Sequence, residues 1–167
     1  NQLLIITPTT SNTVSQTMPI RHHRLLIINA SLILMLGLLT GFGYGQHVIA
    51  EVNGTLSSIP GDIRGWRMAH LECLLNSLLI LAIAGAIRPL QFSAKISGSI
   101  FWGLIVCGWT NAIASTLSTL TGGRGTVFTG VDWNSLNHVL FVAGVIAIFV
   151  AALALIFGCI ATRERTG

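Results

Sequence analysis

Polar side chains that could do chemistry interrupt two otherwise apolar stretches of the chain. The first stretch carries His70, Glu72 and Asn76, and the second carries Asn111 and Ser115. An imidazole can bind a metal ion or move a proton, and amide and hydroxyl groups can hold an oxygen atom by hydrogen bonds. Because unpaired polar groups are costly in apolar surroundings, we expect these side chains to face the interior of the protein and to mark a site.

The spacing of the first group predicts two faces of one helix. Glu72 and Asn76 are four residues apart and therefore share a face. His70 points nearly opposite to Glu72 and shares a stripe with Arg67 and Ser77. His70 and the Glu72–Asn76 pair thus cannot both reach one small ligand within a single subunit, although a broad ligand or two subunits could engage both sets.

The composition indicates which kind of protein must position these residues. Only 8% of the 167 residues are charged, 52% are hydrophobic, and the mean hydropathy is +0.77. Soluble domains carry about 25% charged residues, so we expect an integral membrane protein surrounded by a lipid bilayer. The net charge is +4, but the Lys and Arg residues are scattered between apolar runs, which argues against nucleic acid as a partner.

Four stretches are long enough to cross a bilayer, which takes about 20 apolar residues in a helix. These stretches lack Lys and Arg and cover residues 25–44, 69–87, 96–120 and 136–160. Lipid offers no water to unpaired backbone groups, so each stretch must be helical. The sequence therefore predicts an all-α membrane protein, with a four-transmembrane-helix bundle over residues 21–167. A polar tail over 1–20 precedes the bundle, and a long polar loop is expected over 45–68.

The charges between the spans predict how the chain is oriented. One side carries six Lys and Arg residues: Arg21, Arg24, Arg88, Lys95, Arg163 and Arg165. The other side carries three: Arg64, Arg67 and Arg124. The positive-inside rule places the richer side, with both termini, in the cytoplasm, and we expect the membrane to be a bacterial inner membrane.

Helical rise predicts the depth of the polar residues. At about 1.5 Å per residue, Asn76 lies roughly 10 Å and Asn111 roughly 13 Å from the outer ends of their antiparallel helices. The two amides should therefore meet at one level, in the outer half of the membrane. They could form part of a site, or they could hydrogen-bond across the helices only to fix packing. Glu72 needs a partner or a proton at this depth, and Arg64 or Arg67 could be that partner.

Two ordered motifs resemble the styrene oxide isomerase family. The first is GWRMAH at residues 65–70, followed by Asn76; the second is GWTN at 108–111, followed by RGTVF at 124–128. Together with the four spans, they extend the resemblance over roughly residues 25–160. The resemblance implies a homotrimer that binds haem b between neighbouring subunits and acts on an apolar small-molecule substrate.

The family resemblance also implies a reaction and residue roles. Ferric iron held by one axial histidine acts as a Lewis acid on an epoxide, which opens and undergoes a 1,2-hydride shift to a carbonyl compound. On the matching positions, His70 would be the axial ligand and Asn76 would help to hold the substrate oxygen. Asn111 would shape the pocket, while Arg67 and Trp109 would contact the cofactor.

This chain departs from the family pattern at two positions. Ser115 stands where a tyrosine is expected as a second group that holds the epoxide, and it would reach the same oxygen through water or a larger substrate. Glu72-Cys73 replaces an expected Gly-Pro pair. The sequence around Glu72 also resembles hydroxylaminobenzene mutase-like membrane proteins. Hydroxylaminobenzene mutase activity, a different isomerase activity, is therefore an alternative. A third alternative is a non-catalytic haem-binding or structural subunit of a membrane complex.

Overall fold

The computed structural model describes residues 16–163 and contains four long helices. They are α1 (Ile20–Val52), α2 (Ile63–Ile87), α3 (Ala94–Thr121) and α4 (Trp133–Arg163). Each is long and apolar enough to cross a membrane. The predicted all-α, four-helix membrane protein is therefore confirmed, and each helix covers one of the predicted spans.

Local signals in the sequence explain where the helices begin and end. The Asp62 carboxylate accepts a hydrogen bond from Gly65 N at 2.6 Å and caps the start of α2. Ser93 caps α3 through a 3.4 Å hydrogen bond from Ile96 N to its hydroxyl. Gly122 ends α3 at φ 72°, in the left-handed region that glycine adopts without strain.

Asp132 stands immediately before α4, outside the apolar span. Its Oδ1 atom accepts from Ser135 N at 2.7 Å, and its Oδ2 atom accepts from the Thr129 hydroxyl at 2.7 Å. The bond from the Ser135 backbone, followed by that from Thr129, lowers the pKa of the Asp132 carboxyl below its ordinary value.

The predicted long loop over 45–68 is wrong in its extent. Helix α1 continues to Val52 and α2 begins at Ile63, so the connection covers only residues 53–62. Contacts beyond the membrane span stabilise the extra turns, since the buried His47 side chain on α1 approaches Gly61 O at 3.2 Å. Hydropathy detects the apolar span and does not report these contacts.

Short strands join the segment before α1 to the turn between α2 and α3. Strand β1 (Gln16–Thr17) pairs antiparallel with β2 (Gln91–Phe92). The Phe92 side chain is buried in the core beneath this pair. The pairing fixes the end of the bundle that lies opposite to the 53–62 connection. We call the end that carries the 53–62 connection the long-loop end.

The helices pack as a group of three with a fourth at its side. Helices α1, α2 and α3 contact one another, whereas α4 packs mainly on α3. At the centre, a Cβ on Gly108 would lie 2.8 Å from Ile80 Cδ1 and 2.9 Å from Ile33 Cδ1, so glycine permits the close approach of three helices. The outward face of α4 exposes large apolar side chains such as Phe149 and Phe157, as a lipid environment requires.

Candidate functional site

His70 is held in one orientation by helix α1. Its Nδ1 atom lies 2.7 Å from Gly37 O, and because a carbonyl only accepts, Nδ1 must donate its hydrogen. In the neutral ring, Nε2 therefore carries no hydrogen and offers its lone pair. Among the residues that the structure describes, none bonds to Nε2, and this atom is not sealed inside the bundle. Metal-binding histidines are commonly oriented in this way, with the second ring nitrogen on a carbonyl.

Two glycines of α1 allow α2 to approach closely, and one of them, Gly41, makes room for the imidazole. A Cβ on Gly41 would lie 2.6 Å from both Cε1 and Nδ1 of His70, and one on Gly37 would lie 3.1 Å from Cys73 Cβ. The Tyr44 ring stacks on the His70 ring, with a centroid distance of 6.5 Å and an interplanar angle of 19°. This support is not among the contacts predicted above, although Gly37 and Gly41 have the GxxxG spacing that marks close helix contacts in membranes.

Asn76 and Asn111 meet between α2 and α3. Asn111 Nδ2 donates to Asn76 Oδ1 at 3.4 Å, which confirms that the two amides lie at one level. Asn76 Nδ2 lies 2.9 Å from Glu72 O and 3.2 Å from Glu72 Oε2. Asn76 is only 6% exposed, so these contacts take place within the bundle. We call Glu72, Asn76, Cys107 and Asn111 the amide cluster.

Cys107 completes the amide cluster, a contact that the sequence analysis did not anticipate. Its thiol lies 3.6 Å from Asn76 Oδ1 and 3.6 Å from Asn111 Nδ2, distances suited to weak hydrogen bonds of sulfur. On the far side, Asn111 Oδ1 lies close to α4, where a Cβ on Gly144 would approach it to 2.6 Å. The amide cluster thus runs from α2 across α3 towards α4.

Two predicted site residues lie apart from this cluster. Ser115 is fully buried and its hydroxyl donates to Ala112 O of its own helix at 3.3 Å. Trp109 Nε1 donates to Asn29 Oδ1 on α1 at 2.8 Å, on a different side of α3 from Asn111. Asn29 was missed as a partner, although an asparagine in an apolar run is the same signal that singled out Asn76.

Glu72 also lines a groove along the surface of α2. This α2 groove, of about 330 Å³, is bordered by Arg64, Arg67, Met68, Leu71, Glu72 and Leu75. Within residues 16–163, no arginine nitrogen comes within ion-pair distance of the Glu72 carboxylate. The expectation that Arg64 or Arg67 pairs with Glu72 is therefore wrong, because the Asn76 amide takes that place. Arg67 is exposed beside the groove.

The two halves of the candidate site face different neighbours. His70 and Ser77 bond to α1 carbonyls, at Gly37 O and at Ala30 O, whereas Asn76 bonds to Asn111 of α3. The prediction that His70 and the Glu72–Asn76 pair point to different sides of α2 is confirmed. One subunit therefore cannot direct both at one small ligand.

The geometry of His70 fits the single axial ligand that a haem needs. In the part of the chain that the structure describes, no three His, Cys, Asp or Glu side chains gather closely enough to hold an ion. Haem supplies its own ring nitrogens and needs only one axial protein ligand. His70 fits that requirement, because its Nδ1 atom donates to Gly37 O and its Nε2 atom offers a lone pair.

Comparisons with known proteins agree with the motifs. The family model described as styrene oxide isomerase matches residues 22–160. The styrene-oxide isomerase of Pseudomonas fluorescens is 31% identical over 133 residues, which cover 74% of this chain and 72% of that protein. The matched region contains α2 and α3, nearly all of α1 and α4, and every predicted site residue.

Proposed function

Because the chain belongs to the styrene oxide isomerase family, we propose that it isomerises an apolar epoxide to a carbonyl compound inside the membrane. The observation that carries the proposal is the orientation of His70, whose Nδ1 donates to Gly37 O at 2.7 Å. That bond leaves Nε2 as a ligand atom, as an axial histidine requires.

Haem b would be held by His70, and its ferric iron would supply the Lewis acid for the epoxide oxygen. Arg67, one helical turn before His70, would pair with a haem carboxylate at the long-loop end. The contact of Trp109 with the cofactor stays a prediction, and its bond to Asn29 places the indole against α1.

The amide cluster would hold the substrate oxygen. Asn76 offers N–H donors and is itself fixed by Asn111 and Glu72, so it needs little reorganisation when charge develops on that oxygen. The low dielectric of the bundle strengthens such a hydrogen bond. Ser115 donates to Ala112 O, and it would contribute only through a rearrangement of that hydroxyl.

We further propose that the complete site lies between subunits of a homotrimer. His70 and Asn76 face different sides of α2, so His70 of one subunit and Asn76 of its neighbour would enclose one substrate. A cyclic trimer joins two different faces of each subunit at every interface, which is the geometry that such a shared site needs.

The surroundings of the amide cluster favour an apolar substrate that enters from lipid. Leu71 and Leu75 form apolar walls of the α2 groove, and both side chains are exposed on the surface of the single subunit. A pocket with apolar walls and a few polar anchors selects small apolar molecules. We place the protein in a bacterial inner membrane, with the long-loop end outside as the charge distribution predicts.

The direct test is to incubate the purified, haem-loaded protein with styrene oxide, with alkyl epoxides and with hydroxylaminobenzene. We expect styrene oxide to give phenylacetaldehyde without added oxidant or reductant. Conversion of hydroxylaminobenzene alone would favour the mutase activity. Full haem occupancy with no conversion of any substrate would favour a non-catalytic haem-binding subunit.

A further inference from the structure

Glu72 connects the surface of the bundle to the buried amide cluster. Its carboxylate lies 3.2 Å from Asn76 Nδ2, and its side chain also lines the α2 groove. The Asn76 and Cys107 side chains are only 6% and 4% exposed. A molecule in the groove therefore meets Glu72 before it meets Asn76.

Glu72 favours one orientation of the Asn76 amide through two acceptor oxygens. Asn111 and Cys107 can each donate or accept a hydrogen bond, so they tolerate either orientation of the amide. Glu72 Oε2 accepts from Nδ2 at 3.2 Å, which favours the orientation in which Nδ2 faces Glu72 and Oδ1 faces α3. The backbone carbonyl of Glu72 also accepts from Nδ2, at 2.9 Å, and adds to the same preference, since a carbonyl oxygen has two lone pairs.

We propose that Glu72 is a positioning residue, which keeps the second N–H of Asn76 directed at the α2 groove so that a substrate oxygen can accept it. The inference rests on the proposed function. When a substrate binds, its oxygen replaces Glu72 Oε2 on this N–H, while the first N–H stays on the Glu72 backbone carbonyl. Without the Glu72 side chain, only the backbone carbonyl favours this orientation, so the amide turns its oxygen to the groove more often and then repels the substrate oxygen.

A double-mutant cycle tests whether Glu72 acts through Asn76. We expect Glu72→Ala to lower kcat/KM about ten- to a hundredfold, the effect of one hydrogen bond that involves a charged group. The loss should fall mainly on kcat, since the bond to oxygen strengthens as charge develops. The variant that combines Glu72→Ala with Asn76→Ala should be no slower than Asn76→Ala alone. If the two losses multiply instead, Glu72 does not act through Asn76 and the proposal fails.

A conservative variant and a matched control complete the kinetic test. Glu72→Gln keeps the length of the side chain and an oxygen that can accept from Asn76, so it should recover most of the activity that Glu72→Ala loses. Equal losses in Glu72→Gln and Glu72→Ala would contradict positioning by the acceptor oxygen. Glu51→Gln makes the same change at an exposed position at the end of α1, and it should leave kcat and KM unchanged.

A spectroscopic measurement separates this proposal from the proposed function. In the full-length protein labelled with side-chain ¹⁵N-asparagine, the Asn76 amide signal is the one that Asn76→Ala removes. We expect two inequivalent, slowly exchanging protons in the wild type, and in Glu72→Ala one of them should shift and exchange faster. An unchanged signal overturns the positioning role even if the enzyme is active. An inactive wild type with the expected shift overturns only the isomerase assignment.

Discussion

His70 and Asn76 lie on the same helix and bond to different neighbours. His70 Nδ1 donates to Gly37 O of α1 at 2.7 Å, while Asn76 Oδ1 accepts from Asn111 of α3 at 3.4 Å. Helix α2 therefore presents an open imidazole nitrogen on one side and a buried amide on the other. The proposed isomerase needs both groups, and this separation shapes the tests that follow.

We expect His70→Ala to lose bound haem and the fold to persist. Removal of the imidazole deletes the proposed axial ligand, while the surrounding α1–α2 contacts at Gly37 and Cys73 remain. Absorption spectroscopy of the purified protein should show no Soret band. The matched control is His138→Ala, since His138 is also half-buried and also bonds to a carbonyl, Gly125 O, at 2.9 Å. A Soret band of equal intensity in both variants would contradict the assignment of His70.

We expect Gly41→Ala to disturb the same histidine from the neighbouring helix. The new methyl would lie 2.6 Å from His70 Cε1 and Nδ1, so the ring must move away from Gly37 O. The strain should destabilise the fold by about 1–3 kcal/mol and weaken haem binding about ten- to a hundredfold, as loss of a ligand's orienting partner does. Haem titration and thermal unfolding measure the two effects.

Gly45→Ala is the control for that substitution on the same helix. A Cβ at Gly45 meets no atom within 4 Å, so the methyl adds no clash. Alanine should stabilise the helix by roughly 0.5–1 kcal/mol relative to glycine. Equal haem affinity in the Gly41→Ala and Gly45→Ala variants would show that contact with α1 does not position His70.

The proposed shared site predicts recovery of activity in mixed oligomers. Alone, His70→Ala should be inactive, and Asn76→Ala should keep only a low, measurable activity. When they are co-expressed, an interface that combines His70 of one subunit with Asn76 of its neighbour is intact. Each mixed trimer has one such interface in three, so a sample that holds only mixed trimers should regain about a third of wild-type activity. Differently tagged subunits, purified in tandem, supply the mixed sample. Mixed oligomers without activity would place the whole site within single subunits.

The sequence predicted the fold and the central contact of the site for clear physical reasons. Lipid requires long apolar stretches to be helical, so hydropathy located the spans. The fixed rise of a helix placed Asn76 and Asn111 at one level, and their 3.4 Å hydrogen bond confirms it. Helical periodicity also predicted that His70 and Glu72 lie on different faces of α2.

Contacts that depend on which helices are neighbours could not be predicted. The bond between Trp109 and Asn29 requires α1 to pack against α3, which periodicity does not specify. The extension of α1 beyond the predicted span depends on a contact between His47 and Gly61, and hydropathy does not predict such a contact. The partner of Glu72 is not the predicted arginine, because the amide of Asn76 lies one turn away on the same face of α2.

The isotopic fate of the substrate tests the central claim most directly. Styrene oxide that carries two deuterium atoms on its terminal carbon should be incubated with the purified wild type, and the product should be analysed by mass spectrometry and NMR. An intramolecular shift predicts phenylacetaldehyde with one deuterium on the benzylic carbon and one on the aldehyde carbon, and His70→Ala should form none. A diol, a benzylic hydrogen derived from water, or no product at full haem occupancy would contradict the account.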